Sequence, residues 1–572
     1  MTYAGIVRNA FQKFYFSTAA ATIGTAVMNL LNIVLAGLFF GRDGSYAIGV
    51  ALPIAIFMEI ITYFFGIGGG IAVSIRQGRG EKRIAAQIFT VSLLATLLAG
   101  AVAAAAGLLC LNPLLVLFGA KTTAEQAVAG GYIRVLLCGL PLLLLCGVMN
   151  AFIRNDNSPR FAMLGVLSSL LVNFVLLGIF LGVLDLPLYS IALAGVLSSG
   201  FCAVMYLSYF LGKKSTVKFN GEISPAAIRD LSGPGFAGSM IFLSQTVLTV
   251  VVNNVLLDVA GMSGIAAYGV VKYTITFIYA VYDSVNHAAQ PMFGVYYGER
   301  DQSGIRLTAK TAYRVILFSS AVLCVLLFAA APLLGGIFDL DLTAALRMVA
   351  FSCLFSSSVT FLNSYYRATG KSRLSLLFIA LDNILFPALL IFLTVYGFHL
   401  QQNGVWLSLL LSEAFTLLLI AALTKGKFLL LKNAELPEEQ VYETLIVNDE
   451  ANITSINGEI ERFCERNAID QKKQYYIFLC IEEIVVNIIK YGFQDGREHY
   501  IGIRLLKTGE NVILNIRDDA VRFDPTTKPD PDVTASTEER EIGGLGIYLV
   551  KKVAKEFSYR RVIGFNNLHI ML

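Results

Sequence analysis

The sequence predicts a polytopic α-helical membrane protein that ends in a soluble α/β domain. Three observations predict it. The 572 residues have a mean hydropathy of +0.68, with 56% hydrophobic and only 15% charged residues, whereas soluble proteins carry about 25% charged residues. Long apolar runs recur up to residue 424 and then stop. The charge divides at the same place: residues 433–572 hold 24 Asp+Glu against 17 Lys+Arg, and residues 1–432 hold 16 against 27.

A membrane span needs about 20 apolar residues, and on that length about twelve are expected. They fall near 16–40, 46–75, 85–110, 127–152, 161–184, 188–211, 235–260, 263–295, 308–331, 345–366, 374–397 and 402–424. The loops between them alternate in charge. One set carries Arg76, Arg79, Lys82 and Arg83; Arg154 and Arg160; Lys213, Lys214, Lys218 and Arg229; Arg300, Arg306 and Lys310; Arg367, Lys371 and Arg373. The other set has little basic charge. Because basic loops stay in the cytoplasm, a multi-pass protein of the plasma (inner) membrane with both termini cytoplasmic is expected. These charges form no continuous stripe, which argues against a nucleic-acid partner. The eight cysteines lack metal-ligand spacing and read as small buried hydrophobes.

The membrane half repeats. Phe152-Ile153-Arg154-Asn155-Asp156-Asn157-Ser158-Pro159-Arg160 is echoed by Tyr365-Tyr366-Arg367-Ala368-Thr369-Gly370-Lys371-Ser372-Arg373, each with two arginines six apart between apolar runs. Two six-span halves, about 10–215 and 225–425, are therefore expected, with a substrate site between them. These residues, with Phe65 to Gly70, Ser74, Gly78 and Gln290-Pro291 to Gly298, resemble the MATE (multidrug and toxic compound extrusion) family over roughly residues 10–425. The resemblance implies antiport of small organic, often cationic, compounds out of the cell, driven by H+ or Na+. Many relatives carry an acidic residue in the first span; here Asn29 and Asn32 stand there and no acid does. Flippases of lipid-linked saccharides share the twelve-span layout and are the alternative.

Five carboxylates fall inside spans: Glu59, Asp258, Asp283, Asp382 and Glu413. Charge is costly in hydrocarbon, so each is a candidate for substrate or cation binding; a structural or interfacial role is the competing reading. Asp283 lies mid-span, with Lys272 eleven residues earlier on the same helical face. That spacing suggests a pair in which a substrate cation or a proton competes with Lys272.

Lys425, Lys427 and Lys432 form a basic collar suited to an anionic leaflet of the lipid bilayer. Asn433 to Gln440 reads as a linker, which divides the chain into a membrane domain, 1–432, and a tail, 433–572. The tail reads as strands at Tyr442–Val447, Ile501–Leu506, Val512–Ile516, Phe557–Ile563 and Leu568–Leu572, with helices at Ile453–Asn467 and Tyr475–Lys490. The second helix is apolar nearly all round, yet Glu483, Asn487 and Lys490 stand at i, i+4 and i+7 on one face. A wet surface stripe is one reading. The other is a nucleotide site: the Asn487 carbonyl oxygen suits Mg²⁺, and Glu483 suits a general base. Asp518 ends a strand, where a carboxylate can accept from an adenine amino group. Gly543-Gly544-Leu545-Gly546 opens a helix whose N–H groups favour phosphate.

In order and spacing these pieces resemble the GHKL ATPase superfamily, an α/β-sandwich fold, and within it the serine kinases that act as bacterial anti-sigma factors. The resemblance implies Glu483 as catalytic base, Asn487 as Mg²⁺ ligand, Asp518 as the adenine reader and Gly543, Gly544, Gly546 and Lys490 around the ATP phosphates. It also implies a mobile lid from Phe523-Asp524-Pro525 through Glu541. Two departures stand out: Ala520 where glycine is usual, and His569 near the place of an adenine-contacting threonine. The expected protein is a gradient-driven exporter regulated by an ATP- and Mg-binding tail that phosphorylates a Ser/Thr on a partner of STAS type. A tail that senses nucleotide without turnover is the alternative.

Overall fold

The computed structural model describes every residue except 1–2, 119, 121, 213–214, 223, 339–341, 430–437, 495, 531–544 and 563. The chain forms two compact units, Phe11–Leu430 and Leu431–Leu572 with Met1–Ala10, close to the expected division at 432/433.

In the first unit the apolar runs fold as long helices: α1 Val7–Gly41, α2 Tyr46–Gly78, α3 Lys82–Leu109, α4 Thr123–Asn155, α5 Pro159–Val183, α6 Tyr189–Leu211, α7 Pro225–Gly261, α8 262–298, α9 Gln302–Phe338, α10 Thr343–Ala368, α11 Ser372–Gly397 and α12 Gln401–Leu423. Among the described residues eleven helices are long and apolar enough to cross a membrane. The twelfth expected span coincides with α8, which is helical but carries Lys272, Asp283, Asn286, His287 and Gln290. Large apolar side chains such as Leu109, Val183, Leu38 and Phe318 are exposed. Water would penalise such a belt and lipid would not. Cys110 and Cys138 lie on exposed surface, which corrects their expected burial; in hydrocarbon a thiol has no need of the protein interior.

The two halves have matching backbone irregularities. Gly41 breaks helix between α1 and α2 at φ 57, ψ −131, and Gly261 breaks it between α7 and α8 at φ 64, ψ −153. Only glycine reaches that region without large strain, so these two positions end rods that would otherwise run on. The equivalent glycines Gly78 and Gly298 meet where the halves touch. A Cβ on Gly78 would lie 2.8 Å from the Gly298 Cα, and one on Gly298 would lie 2.7 Å from the Gly78 Cα. Gly294 likewise leaves room for Ser74. Small residues at the seam let helices approach to backbone contact, where dispersion and packing replace the hydrophobic driving force that lipid removes.

Among the described residues four short π-helical segments widen the spans locally: Thr62–Ile67 in α2, Gly178–Val183 in α5, and Leu381–Leu385 and Phe392–Gly397 in α11. Such i→i+5 turns occur often at functional positions; here they contain Tyr63 and Asp382.

The tail is one antiparallel sheet, order β1-β2-β3-β5-β4, covered on one face by helices. Its elements are β1 Val441–Val447, α13 Asn457–Arg466, α14 Gln471–Tyr491, β2 Tyr500–Thr508, β3 Asn511–Asp518, α15 Leu545–Val553, β4 Glu556–Val562 and β5 Phe565–Met571. Strand alternation sends Ile501, Ile503, Leu505, Val512, Leu514, Ile516, Leu568 and Ile570 to the inner face. They pack on Ile477, Cys480, Ile481, Ile484 and Val485 of α14 and on Val550 of α15. Asp470 caps α14 by accepting from the Lys473 N–H at 2.8 Å. This core lies wholly within residues 446–572.

Candidate functional site

The tail site begins where the inner face of β3 stops being apolar. After Val512, Leu514 and Ile516, the same face presents Asp518, 1% exposed. The β3–β5 register sets Asn566 directly opposite. The Asn566 Nδ2 donates to Asp518 Oδ1 at 2.7 Å and to the carbonyls of Val521 at 3.1 Å and Ala520 at 3.3 Å. Its Oδ1 accepts from the Tyr559 hydroxyl at 2.7 Å and Arg561 Nη1 at 2.8 Å. The Ala520 N–H also donates to Asp518 Oδ1, at 2.9 Å. Every one of these bonds uses the same carboxylate oxygen: Oδ2 is buried and has no hydrogen-bond partner among the described residues. Burial pushes the Asp518 carboxyl up to about 6, against the lowering effect of the Asn566 and Ala520 hydrogen bonds. A buried acceptor without a donor is costly, and an adenine amino group is a donor of the right kind. The donor set therefore fits the base of ATP.

Asn566 is the residue that sequence reasoning missed; His569, noted only as a departure from a usual threonine, faces elsewhere. His569 stands opposite Asn515, with Nδ1 and the Asn515 Oδ1 2.9 Å apart. It lies three positions after Asn566, an odd offset, so it projects on the other sheet face. Burial pushes its ring down to about 4. The strand pairing was the missing information: only the register shows which residue of β5 meets Asp518.

The polar stripe of α14 lies beside α15. Glu483 and Asn487 are half-buried, and the Asn487 Nδ2 donates back to the Glu483 carbonyl. That bond occupies the amide N–H and leaves the carbonyl oxygen as an acceptor, the group expected to face Mg²⁺. A Cβ on Gly546 would collide with the Glu483 carboxylate. Gly546 thus brings the start of α15 against the proposed base. Lys490 lies further along, its Nζ 3.4 Å from Glu450 Oε1, both about half exposed. Gly543, Gly544 and the lid beyond Asp530 lie outside the described residues. The described start of the lid holds a turn at Pro525–Thr527, capped by Asp524 accepting from the Thr526 N–H at 3.0 Å.

In the membrane unit the five candidate carboxylates divide between two clusters and an edge position. The first joins both halves. The Tyr63 hydroxyl donates to Asp283 Oδ2 at 3.3 Å, and Glu59, one turn before Tyr63, is a close electrostatic neighbour of Asp283. Arg367 from α10 and Arg154 from α4 both act electrostatically on Asp283. Lys272 is not its partner, which corrects the expected pair: eleven residues of helix rise about 16 Å, beyond any ion-pair contact. The two arginines were expected in loops. They are 8% and 7% exposed, enclosed at the ends of their helices. Phe242 packs edge-on against Tyr63, with ring centroids 4.7 Å apart, and Gln290 Nε2 donates to the Ile67 carbonyl at 3.3 Å.

The second cluster lies in the C-terminal half. Asp382 and Glu413 are hydrogen-bond neighbours, and the Tyr279 hydroxyl donates to Glu413 Oε1 at 3.1 Å. Asp382 Oδ1, Glu413 Oε2 and Thr416 Oγ1 are buried, and among the described residues none makes a well-aligned hydrogen bond; Thr416 and Glu413 are the side chains facing Asp382. Asp258 stands apart, accepting from the exposed Tyr396 hydroxyl at 3.2 Å.

Comparison with known proteins matches each unit. The MatE family model matches residues 18–179 and 238–393, one match in each half and with the same 220-residue offset as Gly41 and Gly261. The histidine kinase-like ATPase domain model matches 446–571. The multidrug export protein MepA of Staphylococcus saprophyticus is 23% identical over 427 residues, covering 72% of this chain and 93% of that protein. MepA of Staphylococcus haemolyticus is 22% identical over 414 residues, covering 71% and 90%. Among solved structures, an outward-facing multidrug resistance MATE transporter of the MOP superfamily superposes with TM-score 0.69 at 20% identity, covering 74% of this chain and 97% of that one. A MOP superfamily transporter from Pyrococcus furiosus, described by the reverse polarity of its binding pocket, superposes with TM-score 0.70 at 20% identity, covering 75% and 97%. From the two matched halves, their shared fold and the matched tail, the chain belongs to the MatE family and joins its membrane transporter to a C-terminal histidine kinase-like ATPase domain.

Proposed function

We propose that the protein exports small organic compounds across the plasma membrane, driven by a proton or sodium gradient, and that its tail binds Mg·ATP and regulates this transport. The multidrug export relatives support the cargo class. The alternating basic loops support a cytoplasmic tail, on the side where ATP is. The meeting point of the halves, with Asp283, Glu59, Tyr63, Arg154 and Arg367, is the substrate site in this reading. Asp382 and Glu413 take the coupling cation, because their unmatched oxygens offer it hard ligands.

The observation that carries the nucleotide reading is the buried, partnerless Oδ2 of Asp518. Asp518 would hold the adenine amino group, Asn487 would ligate Mg²⁺ and the N-terminal turn of α15 would face the phosphates. Bound Mg·ATP would supply the γ-phosphoryl group. Glu483 would hold the proton of an acceptor hydroxyl, and Gly546 keeps α15 close enough to place the two together. The resemblance to anti-sigma-factor kinases suggests a Ser/Thr on a STAS-type partner as that acceptor. Positioning, rather than covalent chemistry by the protein, would carry most of such a transfer.

Titration of the protein with Mg·ATP tests the site: binding should be lost in Asn487→Ala and kept in Glu483→Ala, and only the second should bind without phosphorylating a partner. Sustained export in vesicles given ATP and no ion gradient would refute gradient-driven transport. One observation favours a second reading, a nucleotide sensor without turnover. Ala520 replaces the usual glycine and is packed tightly, its Cβ only 2.8 Å from where a Cβ on Gly492 would lie. ATP binding without phosphate release or transfer would select it.

A further inference from the structure

Two buried arginines sit at equivalent positions of the two halves, and they are not equally satisfied. Arg154 Nη1 lies 3.0 Å from His287 Nδ1. A guanidinium only donates, so Nδ1 is the acceptor, and His287 neutralises none of the charge. Arg367 is 7% exposed, and among the described residues its Nε and Nη1 have no hydrogen-bond partner. Beside it the chain offers no side chain at Gly238, where an added Cβ would lie 3.4 Å from Nη1. A buried guanidinium with idle donors is costly, and such a group points to an acceptor that the protein itself does not supply.

The acidic groups of the cluster do not fill these donors. Asp283 attracts both arginines, but its Oδ2 accepts from Tyr63. Glu59 is accessible and leaves Nε and Nη1 of Arg367 unfilled. What is missing beside Arg367 is an acceptor, and the planar fork matches the oxygens of a carboxylate or phosphate. A compound carrying only positive charge would meet two guanidiniums there.

We infer that the meeting point of the two halves contains an oxyanion subsite, in which Arg367, with Arg154 acting on the same Asp283, holds a carboxylate or phosphate group of the bound molecule. Any amine on the same molecule falls to Asp283 and Glu59, and its ring system packs on the Tyr63–Phe242 edge. The cargo is then a zwitterionic or anionic amphiphile and not a simple lipophilic cation. This rests on the exporter reading of the same site, from which the test below separates it.

The test uses the purified full-length protein and a xanthene dye with a free carboxylate beside its ethyl ester, both read by fluorescence polarisation. The acid should bind roughly tenfold or more tightly than the ester, since charged hydrogen bonds are the strong ones. In Arg367→Gln that preference should fall close to unity, and in Arg367→Lys part of it should remain. Monodispersity of each variant on size exclusion guards against misfolding, and Arg154→Gln gives a second route to the same readout. An ester that binds as tightly as the acid, or a preference that survives Arg367→Gln, overturns the subsite. Displacement of the acid by phosphatidylglycerol would assign the subsite to a lipid phosphate; no displacement would assign it to the compound, and both outcomes support an oxyanion site. If neither dye moves across vesicles under a proton or sodium gradient while the binding preference holds, the export reading fails and the subsite stands.

Discussion

Replacing Asp518 by Asn separates nucleotide recognition from the cost of burying a charge. The variant keeps Oδ1 as an acceptor for Asn566 and Ala520 and puts an NH2 where Oδ2 was. Two donors, this NH2 and the adenine amino group, then face each other, so ATP affinity should drop about 100-fold or more. Stability should change in the opposite sense. Burial raises the carboxyl from its ordinary 3.8 to about 6. A raised folded-state value means a contribution that is fully present below the unfolded value and is lost as pH rises through about 6. That loss is on the order of 3 kcal/mol between pH 4 and pH 7. An Asn cannot ionise, so the stability difference, variant minus native, should grow by roughly that amount over the same interval. Urea unfolding of residues 438–572, followed by circular dichroism at several pH values, measures it, because the tail core lies inside that stretch. A difference that stays constant with pH would refute the buried-charge argument. Native ATP affinity in the variant would refute the assignment of Oδ2 to adenine.

Other outcomes follow from the same geometry. ATP gives Oδ2 a donor and so lowers the Asp518 pKa; near pH 6 binding should release a fraction of a proton, visible by calorimetry in two buffers of different ionisation enthalpy. Asn566→Ala removes the donor that orients Asp518 and should weaken ATP binding by about tenfold, with Arg561→Gln weaker in the same direction. Gly546→Ala should abolish nucleotide binding by pushing α15 off Glu483, and adding Glu483→Ala should restore part of the packing, a coupling that a double-mutant cycle on tail stability reads. Asp382→Asn and Glu413→Gln should each reduce gradient-driven export while leaving dye binding at the Arg367 subsite within about twofold, because separated sites add nearly independently; a matching loss of dye binding would merge the two sites.

The sequence made the tail legible because its devices are local. The alternation in Ile501, Ile503 and Leu505 and the i, i+4 stripe of Glu483 and Asn487 can be read within a few residues. Asp518 was legible as a strand-end acid. Its partner was not, because Asn566 lies 48 residues away and is chosen by the β3–β5 register. In the membrane half hydropathy located eleven spans well. It was weakest at α8, where the polar residues that build the site also interrupt the apolar run.

The sequence by itself determined two membrane halves and an acidic tail with the pattern of a histidine kinase-like ATPase domain. Composition, period and dihedral restriction act along the chain and need no partner to be read. Only the tertiary structure decided who meets whom. It gave Asp283 to Tyr63, 220 residues away, rather than to Lys272 on its own helix. It took Arg154 and Arg367 out of expected loops and enclosed them at the seam, with the donors of one unfilled. It set Lys490 beside Glu450 and left one oxygen of Asp518 bare. Which buried polar group lacks a partner depends on contacts between distant segments, and the candidate sites of this protein are built from such groups.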